Sequence, residues 1–147
     1  MYRLTFIVAA PVLASSVSAQ MLQPAPDIAP KHVVEIQLKA LQNNDEPTPN
    51  AGIEQTWVFA HPMNKSVTGT LGRFISMIKA PPYQMLLGHE SHSVRRIAVT
   101  DDTAMFAVKV TPASADPVSY RWKLKKTDSG SWMTISVSPP MDREDTI

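Results

Sequence analysis

The stretch VSYRWKLKK, residues 118–126, alternates apolar and basic side chains along its whole length. A period of two residues is typical of a strand with one face on a core and the other in water. The apolar positions, which would face the core, are Val118, Tyr120, Trp122 and Leu124. This stretch therefore predicts an antiparallel sheet that is polar on its outer side.

Neighbouring stretches continue the same pattern. TAMFAVKV (103–110) and SWMTISV (131–137) are predicted strands, and SHSVRRIAVT (91–100) is another whose alternation fails at Arg95-Arg96, which indicates a bulge. Asp101-Asp102 and residues 128–130 are turn signals between these strands. About four antiparallel strands are expected.

The part of the chain before the strands has helical periodicity. In KHVVEIQLKALQNND (31–45), apolar residues recur with a spacing of three or four residues, and Pro30 suits the first turn of a helix. A second helix is predicted between Asn50 and Pro62, and a third from Thr68 or Thr70 to the Pro81-Pro82 pair. FAHPMNKSVTG (59–69) would then connect helix two to helix three.

Three helices followed by about four strands predict an α+β fold, in which the helices pack in a curved antiparallel sheet. The domain is expected over residues 31–138, after a proline-rich lead-in at 20–30 and before a loose tail at 139–147. No internal repeat is visible.

The first residues, 1–19, have the three parts of a signal peptide: a basic start with Arg3, an apolar run, and small residues ending at Ala19. The alternative is a buried terminal helix or strand. The leader predicts a periplasmic or secreted protein, and the absence of cysteine means that the exported chain is held together by its core. With 14 basic and 13 acidic residues, a nucleic-acid partner is not expected, nor is a membrane partner after cleavage.

Histidines are the first candidate functional residues. His61, beside Pro62, is either an acid or base at a pocket mouth or a residue at a helix C-terminus, where a cation is favourable. His89 and His92 are either metal ligands or surface residues. Residues three apart on a strand point to opposite faces, so the surface interpretation is preferred and no metal site is predicted.

The basic stripe is formed by Arg121, Lys123, Lys125 and Lys126. It is interpreted as the solvated face of the sheet, with binding of an acidic partner as the alternative. Nucleophile-elbow, phosphate-loop and paired-carboxylate motifs are absent from the sequence, and no cofactor is predicted.

Aromatic residues give the strongest signal for a site. Most of them are expected to pack in the core. A curved sheet over helices can also enclose a cavity that Tyr and Trp would line. The candidate ligand-binding residues are Trp57, Phe74, Tyr83, Tyr120, Trp122 and Trp132.

Together these stretches resemble a known family. Over about residues 33–137 the chain is similar to the bacterial domain of unknown function 4864 family, most tellingly at FAHPMNKSVTG, at Arg73-Phe74 and at Trp132–Thr134. That family resembles the nuclear transport factor 2-like (cystatin-like) group, which implies a bent sheet wrapped around a long helix as a cone. The group contains enzymes, which place an Asp or His inside the cone, and also binding or dimerisation domains.

The sequence thus supports two hypotheses about function. The preferred one is an exported binding or dimerisation module, with a small apolar ligand in the cone or a second copy paired through the sheet, because the inward face of the clearest strands carries no acid. The alternative is an isomerase- or dehydratase-like enzyme that uses His61 or His92.

Overall fold

The computed structural model describes residues 20–139, so the predicted signal peptide and nearly all of the predicted tail lie outside the described residues. The α-helices are α1 (Pro30–Gln42), α2 (Ala51–Val58), α3 (Pro62–Thr68) and α4 (Leu71–Ile78), and a short 3₁₀ helix spans Gln84–Leu86. The strands are β1 (Ser91–Val99), β2 (Thr103–Thr111), β3 (Val118–Lys126) and β4 (Trp132–Ser138). The predicted α+β class is confirmed.

The four strands form one antiparallel sheet in the order β1-β2-β3-β4. Phe106 pairs with Trp122, and residues paired in this way share a face of the sheet. The predicted inward residues Tyr120, Trp122 and Leu124 are all buried, which confirms the alternation. The expected bulge in β1 is also present, between Arg96 and Ala98.

Helix α1 lies in the concave side of the sheet. It buries Val33, Val34, Leu38 and Leu41, and it contacts both β1 and β4, which are the two edges of the sheet. A flat sheet places its first and fourth strands roughly 14 Å apart. Helix α1 contacts these two strands more than the two strands between them, which is the pattern of a sheet that curves around the helix. This curvature leaves room beside α1 for a cavity.

Helices α1 and α2 approach each other closely at Gly52. Its N–H donates to Asn44 O at 2.8 Å. A Cβ at this position would overlap the carbonyl oxygen of Ala40 and lie 2.7 Å from Asn44 Cα. Only glycine permits so close an approach, and this contact fixes the position of α2 relative to α1.

The structure has one more helix than the three predicted, because residues 62–68 of FAHPMNKSVTG form α3. Proline ends α2 but is well suited to the first turn of the next helix, where no N–H is needed. Hydrogen bonds of 2.8 Å from His61 N–H to Thr134 O, and from Thr134 N–H to Phe59 O, attach the start of this segment to β4. Residues 59–69 thus form a fixed part of the boundary between the helices and the sheet.

Candidate functional site

A cavity of about 400 Å³ opens between the helices and the β3–β4 side of the sheet. Its volume is in the range of small-molecule sites. The apolar residues that line it are Leu41, Ala60, Met63, Val67, Phe74, Met77, Ile78, Leu86, Trp122, Ile135 and Val137. The polar residues that line it are Gln37, Thr56, Asn64, Thr68, Tyr83, Thr134 and Ser136. All of these polar side chains are uncharged amides or hydroxyls.

Gln37 is the centre of the polar part of the cavity wall. The indole Nε1–H of Trp122 donates to Gln37 Oε1 at 2.9 Å, and the Thr134 hydroxyl donates to the same oxygen at 2.6 Å. An indole N–H can only donate, so this contact fixes which end of the amide is the oxygen. The amide nitrogen then donates to Thr56 O at 3.1 Å, and its second N–H remains for a ligand.

Asn64 forms a second polar point, on α3. Its Nδ2 donates to Thr134 O at 3.3 Å, and its Oδ1 accepts from the Thr68 hydroxyl at 3.1 Å. As with Gln37, one amide N–H is left over after these bonds. Two amides that line the cavity thus each keep one N–H without a partner among the described residues.

The two tyrosines near the cavity have their hydroxyls bonded to backbone. Tyr83 donates to Val137 O at 2.8 Å and Tyr120 donates to Pro82 O at 2.7 Å, with the rings stacked 6.3 Å apart. Burial, and then the neighbouring Tyr83, raise the pKa of Tyr120 to about 12, and burial also raises the pKa of Tyr83. Both hydroxyls stay protonated near neutral pH.

Three of the six predicted site residues line the cavity: Phe74, Tyr83 and Trp122. Their contact with a ligand stays a prediction. Trp57, Tyr120 and Trp132 lie outside the lining. Trp57 packs against Phe74 at a centroid distance of 4.9 Å, Tyr120 stacks behind Tyr83, and Trp132 lies under the ammonium group of Lys126 at 5.2 Å. Trp57 and Tyr120 thus support lining residues from behind.

Several lining residues were not predicted from sequence, notably Gln37, Asn64, Met63 and Val67. One signal was available for Gln37, a polar residue on the buried stripe of α1. Its neighbours on that stripe, Val34 and Leu38, are apolar. A polar residue in such a stripe must be hydrogen-bonded or functional. The α3 residues give no comparable signal, because the sequence predicts only a connection here.

His61 is the N-cap of α3 and not a helix C-terminal residue as predicted, because Pro62 starts a new helix. Its Nδ1 accepts from Met63 N–H at 3.1 Å. The side chain is buried, and its Nε2 has no hydrogen-bond partner within residues 20–139. His61 is absent from the cavity lining, so it does not reach a ligand there.

The prediction that His89 is a surface histidine is wrong, since it is 2% exposed. It precedes β1, after Gly88 with φ +64, so the opposite-face argument does not apply to it. His89 Nδ1–H donates to Leu86 O at 2.7 Å, and the 2.6 Å contact of its Nε2 with His92 Nδ1 joins the rings. Burial lowers the pKa of His89, the bond to Leu86 opposes this, and His92 lowers the pKa further.

Neither the His89–His92 pair nor any other part of the described chain forms a group of three or more metal-ligand side chains. His92 lies beside α1, near Lys31, Glu35 and Lys39, and not in the cavity. The hydrogen bonds of the pair therefore join β1 to the 3₁₀ helix.

Most of the chain matches a known family. Residues 25–144 match the family described as "Domain of unknown function (DUF4864)". The chain belongs to this family. The match covers the helices, the sheet and the whole cavity of this DUF4864 protein. Its grouping with nuclear transport factor 2-like proteins stays a prediction, and no curated protein or solved structure matches the chain.

Proposed function

We propose that this DUF4864 protein is an exported binding module whose cavity holds a small, uncharged, apolar ligand. The observation that carries the proposal is the composition of the cavity wall. Its lining combines eleven apolar residues with seven amide or hydroxyl side chains and no ionisable acid or base other than the Tyr83 phenol. A charged ligand would lose its hydration there without gaining a counter-ion. An apolar ligand would gain from leaving water.

The ligand should also carry one hydrogen-bond acceptor, such as a carbonyl or ether oxygen. The leftover N–H groups of Gln37 and Asn64 would donate to it. Their hydrogen bonds to Thr134 fix both amides, so a ligand would meet donors that are already oriented. A few placed polar groups on an apolar wall are typical of sites that bind and orient small molecules.

The enzyme alternative has less support from the site. His61 and His92, its two candidate acids or bases, are bonded to Met63 N–H and to His89 respectively, and neither lines the cavity. A general acid or base must come within hydrogen-bond reach of its substrate.

Two fluorophores with the same rings test the proposal. Neutral N-phenylnaphthylamine should bind the purified protein with enhanced emission, and anilinonaphthalene sulfonate should bind at least about tenfold more weakly, because of its buried charge. Met77→Trp adds bulk to a residue of the cavity lining and should weaken binding of the neutral dye. Ile97→Trp adds the same bulk on β1, away from the cavity, and is the control. Equal binding of both dyes, or equal effects of both variants, would contradict the proposal.

Export is the second part of the proposal and is supported by the sequence of residues 1–19. Intact mass of the protein recovered from the periplasm or medium should correspond to a chain that begins at Gln20. A recovered mass that includes residues 1–19 would refute this part and leave the ligand proposal standing.

A further inference from the structure

The mouth of the cavity is bordered by exposed apolar side chains. Met63 and Val67, one turn apart on α3, are 51% and 87% exposed, and Met77 on α4 is 36% exposed. All three also line the cavity. We call them the apolar rim. Large apolar side chains exposed together around an opening indicate a surface that contacts something apolar.

The segment that carries the apolar rim has charges of one sign. Residues 55–89 include the cations Lys65, Arg73 and Lys79 and contain no Asp or Glu. The Arg73 side chain lies at the junction of α3 and α4, where its Nη1 is 3.5 Å from the position of a Cβ on Gly69. Lys65 holds its ammonium group 5.3 Å from the centroid of the Trp57 ring. The segment that carries the apolar rim is therefore cationic, with Arg73 placed between the two helices of the rim.

We propose that this mouth docks on the surface of an anionic phospholipid bilayer. The apolar rim would enter the boundary between headgroups and acyl chains, and Arg73 would face the lipid phosphates. This inference rests on the proposed function, because docking would let an apolar ligand pass between bilayer and cavity without crossing water. Such a ligand would be a bilayer-soluble molecule.

Docking of this kind needs no membrane-spanning segment. Within residues 20–139 no helix has the length and apolar character to cross a bilayer. The sequence predicts no membrane partner for the exported chain because it contains no spanning segment. The apolar rim is a different feature, which forms only where α3 and α4 lie side by side.

A bilayer fits the rim better than a second copy does. Two copies would bring like charges together, and three side chains are far fewer than a stable protein interface uses.

Flotation of the purified protein with vesicles tests the proposal. The wild type should float with vesicles of phosphatidylglycerol and not with vesicles of phosphatidylcholine, and added salt should release it. Val67→Glu should lower the bound fraction by at least about tenfold, since it places a carboxylate in the apolar rim. Ile97→Glu is the matched control. It makes the same change at a 43% exposed apolar residue on β1, and it should bind like the wild type.

Arg73→Gln separates this inference from the proposed function. Arg73 is outside the cavity lining, so the variant should keep its affinity for N-phenylnaphthylamine in solution and bind phosphatidylglycerol vesicles about fivefold more weakly. Vesicle binding without dye binding would refute the ligand proposal alone. The docking proposal would be overturned if the wild type binds the dye but does not float with the vesicles. It would also be overturned if Val67→Glu floats as well as the wild type does. A doubled chain mass abolished by Val67→Glu would overturn it in favour of a second copy.

Discussion

A single tryptophan orients the polar part of the cavity. Trp122 is 1% exposed and pairs with Phe106 across the sheet, so its ring is fixed by packing. Its N–H reaches Gln37 Oε1 and, at 3.3 Å, Thr134 Oγ1. Because the indole can only donate, it determines the direction of the Gln37 amide and thereby the donor that a ligand would meet.

Replacing this tryptophan should separate packing from hydrogen bonding. Trp122→Ala should lower the free energy of unfolding by about 3–5 kcal/mol. Trp122→Phe should lower it by about 2 kcal/mol, since it removes the donor and part of the ring. Urea denaturation gives both values. Trp132→Phe is the control because Trp132 is also buried and its indole is not part of the Gln37–Thr134 network. A loss equal to that of Trp122→Phe would contradict the role assigned to the network.

The His89–His92 pair should make stability depend on pH. The pKa of His89 is lowered in the fold, chiefly by burial, so the unfolded chain takes up a proton at a higher pH than the folded chain does. The contribution of neutral His89 to the free energy of unfolding is therefore fully present above the ordinary histidine pKa of about 6.5. It is lost as the pH falls below that value. The charged groups on α1 near His92 are Lys31, Glu35 and Lys39, two of them cations, and Glu90 adjoins the pair in sequence.

The measurement is the free energy of unfolding of wild type and His89→Gln between about pH 5 and pH 8, the range in which histidine titrates. The wild type should lose more stability than the variant on acidification. His32→Gln replaces an exposed histidine of α1 and should behave like the wild type. An identical pH dependence for His89→Gln would exclude His89 as the titrating group.

Among the elements, the crossing of α1 and α2 depends on Gly52. Gly52→Ala should lower the free energy of unfolding by about 3 kcal/mol or more, because its Cβ would displace the backbone of α1. Gly72→Ala is the matched control on α4. The nearest atom to its Cβ would be Thr70 Oγ1 at 3.8 Å, so alanine should raise the stability by about 0.5–1 kcal/mol through its better helix propensity. Effects of the same sign would contradict the close approach.

The start of α3 depends on its cap. His61→Ala removes the acceptor for Met63 N–H and should lower the free energy of unfolding by about 1 kcal/mol. His61→Asn keeps an acceptor in reach and should cost less. Amide hydrogen exchange at Met63 reports on this hydrogen bond locally. The exchange rate should rise in the alanine variant and stay lower in the asparagine variant. Equal exchange rates in both variants would show that His61 does not cap the helix.

Elements with a long periodic pattern could be predicted from sequence, and short ones could not. In β3 the alternation from Val118 to Leu124 determines which face is buried, and the paired strand β2 has the matching pattern. Helix α3 has seven residues, none of them buried, and its only apolar pair at helical spacing is Met63 and Val67, which is too short a pattern to predict a helix. It forms because Pro62 and a cap start it and β4 holds it. The cavity mouth could not be predicted because it is built largely from this helix.

The distribution of charge over the whole molecule bears on the predicted homodimer. The outer face of the sheet carries the cations Arg95, Lys109, Arg121, Lys123 and Lys125. Arg95 and Arg121 are both paired with Ala107, which places them on the same face in one row across three strands. The four strands contain no Asp or Glu, although the chain as a whole is nearly neutral. Two copies pairing face to face would oppose two cationic surfaces.

Pairing through the sheet face should therefore require salt. In about 0.01 M salt, where charges act over roughly 30 Å, sedimentation equilibrium should give the mass of a single chain. In about 1 M salt, where this distance falls to roughly 3 Å, the repulsion is screened and any pairing through this face becomes measurable. Arg121→Glu/Lys123→Glu leaves three cations and two anions on this face in place of five cations, so the variant should pair through it at lower salt than the wild type does. A dimer of the wild type that forms at low salt and dissociates when salt is added would show that the copies meet through another surface.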